Sequence, residues 1–284
     1  MKTFNGRSPI GDRSTNIHSR LATRRPRQPG EVHALILSAG RGSRLLPLTE
    51  SVPKALVEIG GRPILDWQLR SLAAAGIPSA AIVVGFGADL VTAHVADRAP
   101  SNMHVHTVLN PFHDVADNLI SCWAAREEMD GDFLLINGDT LFEPAVIERL
   151  LRSRPAPVTV AVRRKAPYDE ADMKVQLADS VLVHIGKHLP IATAAAESIG
   201  AMYFRGSGAR AFRTTIETAV ADPAAKGWWY PTAVDRLARR GNVRVAFVDG
   251  LATAEVDVVE DIPAAEEVVV QLPGSAGTSR ASSE

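Results

Sequence analysis

Apolar residues recur along this chain in two alternating rhythms. Short continuous runs at Val32–Leu37, Ala80–Val84, Met103–Leu109, Phe133–Ile136 and Val158–Val162 read as strands. The near-continuous apolar character of Val32–Leu37 predicts burial on both of its faces. Between them lie stretches with helical spacing: Pro63–Ala75, Ala88–Arg98, Asn118–Met129 and Pro144–Leu151. The first carries Ile64, Leu65, Leu69 and Leu72 on one stripe, with Gly76 where a helix should stop. Strand alternating with helix predicts a mostly parallel, Rossmann-like sheet with helices on both faces. Right-handed crossovers then bring the loops after successive strands to one edge. Gly40, Gly85, Asn110 and Asp139 each follow a predicted strand, so they should converge.

The second half has a different texture. Met173–Leu177 and Val181–Ile185 predict a hairpin, and Ser198–Phe204 a further strand. Gly208–Ala221 and Pro231–Arg240 predict helices; Val243–Val248 and Ala254–Val258 predict strands. Glu260–Val270 should close the fold as a helix with Pro263 in its first turn. No linker, repeat or low-complexity segment interrupts the body, so one mixed α/β domain over residues 31–272 is expected. Residues 1–30 are polar and arginine-rich, with Asp12 as their acidic counterweight, and predict a disordered basic tail. Residues 273–284 are small and polar and predict a second one.

Composition narrows the classes. The formal net charge is −1, so no global charge points to nucleic acid or an acidic membrane. No apolar run approaches the roughly 20 residues of a membrane span, and Met1–Gly30 lacks the apolar stretch of a secretory signal. Cys122, the single cysteine, cannot form an internal disulfide, which suits a reducing cytoplasm. It has no evident catalytic partner. His104 and His106 share a strand face, but no third ligand at zinc spacing accompanies them.

The stretch richest in candidate chemistry is Leu37-Ser38-Ala39-Gly40-Arg41-Gly42-Ser43-Arg44, followed by Pro47-Leu48-Thr49 and Pro53-Lys54-Ala55-Leu56. A glycine-rich loop leaving a strand can bring backbone N–H groups against phosphate oxygens. A dinucleotide fingerprint would need glycine where Leu45 stands, and the Gly-Lys-Ser/Thr of a P-loop is absent. The complete run resembles the signature of the sugar-phosphate nucleotidyltransferase family, whose fold is that of nucleotide-diphospho-sugar transferases. The resemblance implies a loop wrapped around a nucleoside triphosphate, with Leu37, Ala39, Gly40, Arg41, Gly42 and Ser43 binding nucleotide together with Gly85, Asn118 and Gly138. It implies that Arg44 contacts phosphate and that Lys54 orients the reacting phosphates.

Two acidic positions extend the resemblance. Asn137-Gly138-Asp139 ends a predicted strand, and its carboxylate is either a turn residue or a ligand for Mg²⁺, a hard ion that prefers oxygen. Glu255 and Asp257 alternate on a predicted strand and could share a site, while Asp261 could cap the following helix. By resemblance, Asp139 and Asp257 are the Mg²⁺ ligands and, with Arg44 and Lys54, the catalytic set. A subfamily resemblance follows from Asn110-Pro-Phe-x-Asp-Val-Ala-Asp117-Asn118, Asp172-Met173-Lys174-Val175, Ile185-Gly186-Lys187 and Glu197-Ser-Ile-Gly200. These are similar to phosphocholine and inositol-phosphate cytidylyltransferases. They imply an acceptor side built from Asn110, Lys174, Lys187, Glu197, Trp228 and Trp229, although both lysines could equally be solvated hairpin residues. Where relatives place an acid after the aromatic pair, Pro231 and Thr232 follow here, which argues for a small phosphate or phosphonate other than phosphocholine.

The expected activity is a Mg²⁺-dependent, cytoplasmic nucleotidyltransferase. Its partners would be CTP, or another NTP, and a phosphorylated small molecule, with release of pyrophosphate. A sugar-1-phosphate uridylyl-, thymidylyl- or guanylyltransferase is the alternative enzyme. A non-catalytic nucleotide-binding subunit is the alternative from another class.

Overall fold

A computed structural model describes residues 25–28 and 30–275. In chain order the first half comprises β1 (His33–Ser38), β2 (Glu58–Ile59), β3 (Arg62–Pro63), α1 (Ile64–Ala74), β4 (Ser79–Val84), α2 (Ala88–Arg98), β5 (His104–Leu109), α3 (Asn118–Ala124), β6 (Phe133–Asn137), β7 (Thr140–Phe142) and α4 (Pro144–Leu151). The second half comprises β8 (Val158–Arg163), β9 (Lys174–Ala178), β10 (Val181–Gly186), β11 (Ala196–Phe204), α5 (Ser207–Ala219), α6 (Pro231–Ala238), β12 (Val243–Phe247), β13 (Thr253–Glu255) and α7 (Ile262–Val269).

The main sheet has nine strands in the order β5-β4-β1-β6-β11-β8-β12-β10-β9. Its first four strands run parallel, as the strand–helix alternation predicts. From β11 onward antiparallel pairing takes over, with β12 parallel to β8 as the exception. Successive residues of the central strands serve opposite faces. On β1, Leu35 and Leu37 join a core containing α3, α5 and α6 residues such as Cys122, Phe212 and Leu237. Ala34 and Ile36 join the opposite core with Leu69, Val91 and Ile147 of α1, α2 and α4. Helices therefore cover both faces. A third, smaller cluster joins Leu45, Ile59 and Leu141 to Val256, Ala265 and Val269, and so bolts the glycine-rich loop to the last helix.

Two elements and one boundary differ from the sequence expectation, each for a visible reason. The expected Asn118–Met129 helix stops at Ala124, and Arg126–Met129 tightens into a 3₁₀ turn. That turn places Glu128 inward, against Arg27 and His106. The expected Ala254–Val258 strand covers only Thr253–Glu255, because Asp261 accepts the Asp257 and Val258 amides that a longer ladder would use. The body also begins earlier than residue 31. Arg27 donates to the carbonyls of Glu128 and Asp130 at 2.9 Å, so the last residues of the basic stretch are pinned to the fold. The tail expectation for residues 1–24 and 276–284 lies outside the described residues.

That anchorage bears on acid stability. His33 on β1 is 1% exposed, and burial, reinforced by the Arg27 guanidinium, pushes its pKa down to about 3. In the unfolded chain it titrates near 6.5, so between those values the unfolded state binds the extra proton and stability falls as pH falls. Between pH 7 and 5 this single group should cost about 2 kcal/mol of unfolding free energy. Urea denaturation of wild type and His33→Gln at both pH values measures it. Equal pH dependence in the two proteins would remove His33 as the cause.

Candidate active site

The glycine-rich loop leaves β1 and turns at once. Gly42 has φ +77°, a left-handed conformation, and its carbonyl accepts the Thr49 hydroxyl at 2.7 Å. A Cβ on Gly42 would sit 2.9 Å from Cβ of Lys54, so glycine here also opens the path that the lysine side chain takes. Beyond Gly42, the Ser43–Leu45 turn buries Leu45 completely and leaves Arg44 exposed at the surface of the site.

Lys54 extends under this loop and bridges two carboxylates. Its ammonium donates to Asp139 Oδ2 at 2.7 Å and Asp257 Oδ1 at 3.2 Å, two residues separated from it by 85 and 203 positions. Burial alone would lower the Lys54 pKa; the carboxylates, Asp139 before Asp257, outweigh it and raise the pKa. Arg44 Nη1 meets the other oxygen of Asp257 at 2.5 Å. Two cations from the glycine-rich segment and two carboxylates from distant strand ends thus form one continuous ionic cluster.

The backbone explains the meeting of the carboxylates. Asp139 sits in the turn between β6 and β7, and buried Gln68 of α1 holds that turn from behind, donating to the carbonyls of Asn137 and Thr140. β13 pairs antiparallel with β7, setting Glu255 opposite Thr140, and the Val256 amide donates to the Asp139 carbonyl at 3.0 Å. Glu255 and Asp257 therefore reach one site across a strand end rather than along one strand face. Asp261 does not cap α7 with its side chain but closes the turn before it, its Oδ2 accepting the Asp257 and Val258 amides. The crowded walls around Glu255, then the charges of Asp139 and Asp257, push its pKa up to about 7, although its side chain still opens to solvent.

Residues of this cluster border two cavities of ≈160 and ≈580 Å³ that share Arg44, Lys187, Glu255 and Asp257. The smaller also touches Asn118, Asp139 and Trp229, and the larger touches Glu197. Lys187 Nζ lies 4.5 Å from the centroid of the Trp229 ring. Asn118 faces the cavity while its Oδ1 accepts the Tyr230 amide at 2.8 Å. The nucleotide-side candidates lie together as well. A Cβ on Gly85 would meet the Ala39 carbonyl at 2.6 Å, and one on Gly138 would meet the Leu37 carbonyl at 2.3 Å. Gly40 has open space around it, while Arg41 stacks on Phe86 and Ser43 opens the 3₁₀ turn.

Three acceptor-side candidates sit elsewhere. Asn110 is fully buried, with its amide nitrogen on Ser121 Oγ and its oxygen on the Phe112 amide, so it shapes a turn. Lys174 is also fully buried and binds backbone carbonyls of its own loop. Trp228 packs against the α3–α5 core under Arg236, so the three consecutive aromatics do not form a cage. Trp229 faces the cavity, and Tyr230 is buried beneath it with its hydroxyl on Asn137 Oδ1 at 2.9 Å.

Other cavity residues escaped sequence reasoning. Asn137, Met173, Ser198 and Gly200 border the smaller cavity; none was singled out as a site residue, although Asn137 stands in the Asn-Gly-Asp turn and the other three lie in the segments that carry the subfamily resemblance. Gln68 had a signal too, as a polar residue on the apolar stripe of α1.

The residues present fit a hard divalent cation. Asp139 Oδ1 is buried and has no hydrogen-bond partner, and the nearby donors are carboxylate oxygens. Among the described residues no group of three metal-binding side chains is assembled.

Comparison with known proteins gives this geometry a context. Residues 34–236 match the family described as MobA-like NTP transferase domain. The chain is 34% identical over 233 residues to CMP-5'-(3-aminopropyl)phosphonate synthase of Streptomyces rubellomurinus, covering 80% of this chain and 37% of that protein. It therefore spans little more than a third of that relative's length. It is 24% identical over 244 residues to 2-aminoethylphosphonate cytidylyltransferase of Lancefieldella rimae, covering 85% of this chain and 95% of that protein. Among solved structures, the inositol-1-phosphate CTP transferase from T. maritima superposes with a TM-score of 0.72 at 20% identity, covering 88% of this chain and 99% of the other. At that identity the likeness shows a shared fold.

Proposed function

Because the chain belongs to the MobA-like NTP transferase domain family, we propose that it transfers CMP from CTP to a small phosphorylated or phosphonate acceptor, releasing pyrophosphate. The observation that carries the reading is Lys54 bridging Asp139 and Asp257, with Arg44 beside them, on the border of a cavity large enough for a small acceptor. Relatives named for cytidylyl transfer to aminophosphonates support the choice of base and acceptor class.

In this reaction an acceptor oxygen attacks the α-phosphorus of the NTP. One P–O bond forms, the bond to the β-phosphate oxygen breaks, and the electron pair departs with pyrophosphate. A phosphate monoester has its second pKa at about 6 and is already largely dianionic at neutral pH, so no protein base is needed to make it a nucleophile. The demand falls on alignment and on neutralising two repelling polyanions. Arg44 and Lys54 supply fixed positive charge to the triphosphate, and Lys187 faces the acceptor from across the cavity. Asp139 and Asp257 would hold Mg²⁺, whose chemistry is to draw charge from phosphate oxygens. Trp229 offers an apolar face to the organic part of the acceptor.

The test is pyrophosphate release from CTP, UTP, dTTP and GTP against aminoalkylphosphonates, phosphocholine, inositol phosphate and sugar 1-phosphates. CTP with a phosphonate should give the fastest turnover. A strong preference for UTP, dTTP or GTP with a sugar 1-phosphate would replace this reading with the sugar-nucleotide one. Tight NTP binding without any turnover would replace it with a non-catalytic subunit.

A further inference from the structure

Lys174 occupies an unusual position for a lysine. Its side chain is fully buried, and among the described residues no carboxylate lies within ion-pair distance of its ammonium. Its contacts are instead three backbone carbonyls of the preceding loop: Asp169 at 3.1 Å, Glu170 at 3.2 Å and Asp172 at 3.5 Å. A buried ammonium costs several kcal/mol to desolvate, so a site that retains one has carbonyl dipoles aimed at it. The three carbonyls come from one short segment and converge on one atom, so that atom fixes the segment's path.

The same segment is held from its other side. Asp169 Oδ1 accepts the amides of Ala171 and Asp172 at 2.8 and 3.1 Å. Lys165 Nζ reaches Asp172 at 2.6 Å and Glu197 at 3.2 Å, and Arg163 also pairs with Glu197. Ala171 and Met173 of this segment border both cavities beside Lys187 and Glu255, and Lys165, Asp169 and Asp172 border the larger one.

We propose that Lys174 is a positioning residue that shapes the acceptor side of the site without touching the acceptor. Its ammonium gathers the Asp169, Glu170 and Asp172 carbonyls and thereby sets Ala171 and Met173 as a preformed wall. The proposal rests on the nucleotidyl-transfer reading for the name of that wall's ligand. The arrangement of the loop stands apart from it. Preformed walls reduce the ordering cost of binding, so loosening one should weaken the ligand that leans on it and spare the ligand bound elsewhere. Among the described residues no hydrogen bond or ion pair joins Lys174 to the Gly40–Lys54 loop, whose Arg44 borders the cavities from another side.

Full-length Lys174→Met and wild type are compared by amide hydrogen exchange without substrates and by steady-state kinetics with CTP and the best phosphonate of the panel. The variant should exchange the Ala171 and Asp172 amides at least about tenfold faster, and its acceptor KM should rise by about tenfold while the CTP KM stays within about twofold. A folded variant with unchanged exchange in residues 169–173, or with equal rises in both KM values, overturns the proposal. Should Lys174→Met not fold, Asp169→Ala loosens the same loop from a side chain that is 62% exposed; because that side chain also borders the larger cavity, faster exchange of the Ala171 and Asp172 amides must accompany the same KM split in smaller degree. An unchanged acceptor KM in folded Asp169→Ala overturns it equally. If wild type turns over no NTP with any acceptor, the functional reading fails, and the exchange comparison still decides whether Lys174 sets the loop.

Discussion

Lys54→Met should lower kcat for pyrophosphate release by about 10²–10³ while leaving a cooperatively folded protein. Among the described residues Lys54 is the single cation that touches both carboxylates, and it reaches them through the gap that Gly42 leaves open. Methionine preserves most of the stem and removes only the charge. Without it, Asp139, Asp257 and nearby Glu255 face one another uncompensated, in the cavity that must admit two further polyanions. Their mutual repulsion opposes ground-state binding, and the fixed positive charge that would offset it as negative charge shifts in transfer is gone. Some loss of stability should accompany the fall in turnover, because Lys54, Asp139 and Asp257 have side chains only 13%, 21% and 25% exposed and the two aspartates lose their shared partner. Turnover and a thermal melt on the same preparation separate the two effects. Turnover within threefold of wild type would remove Lys54 from the site.

Gly138→Ala should be nearly as damaging, for a reason that involves no charge. The added Cβ would lie 2.3 Å from the Leu37 carbonyl oxygen and 2.7 Å from Ser38 Oγ. Leu37 cannot retreat, because β1 is paired on both sides, opposite Val83 of β4 and Asn137 of β6. The turn must move instead, and it carries Asp139. A displacement of about 1 Å at a reacting group can cost about 10²-fold in rate, and overpacking of this kind typically destabilises by about 1–3 kcal/mol. Gly227→Ala is the control, since its Cβ would enter open space. Urea denaturation and turnover should set the two variants clearly apart. Wild-type activity in Gly138→Ala would show that the turn can yield, and the rigidity argued here would be wrong.

How far the chain could be read depended on the range of the interaction involved. The parallel half was legible because its strands are continuous apolar runs and its helices carry clear stripes, both properties of neighbouring residues. The loop from Gly40 to Lys54 was legible because its glycines, arginine and lysine form one contiguous run. Lys174 was misplaced because a lysine beside a hairpin looks the same in sequence whether it faces solvent or backbone carbonyls. Its burial depends on the packing of a loop against β9 and β11, which no local pattern records. The aromatic triplet misled in the same way. Trp228, Trp229 and Tyr230 are adjacent in sequence, yet extended backbone at Trp228 and the start of α6 send them toward core, cavity and floor respectively. Gln68 shows the opposite case. Its place on an apolar stripe was visible, but its task, bracing a turn that comes 70 residues later, was not.

The third apolar cluster carries a consequence for how the protein comes to life on the ribosome. The family match ends at residue 236, yet Asp257 lies beyond it, delivered by β13 and secured by Val256 packing against Leu45 and Leu141. Synthesis proceeds from the amino terminus, and earlier segments can pair as they emerge. A nascent chain ending before Thr253 already holds Arg44, Lys54 and Asp139, but it lacks the second carboxylate and leaves the underside of the phosphate loop bare. The ionic cluster is therefore among the last parts of the fold to close. The two carboxylates meet Lys54 together only after β13 and α7 have docked.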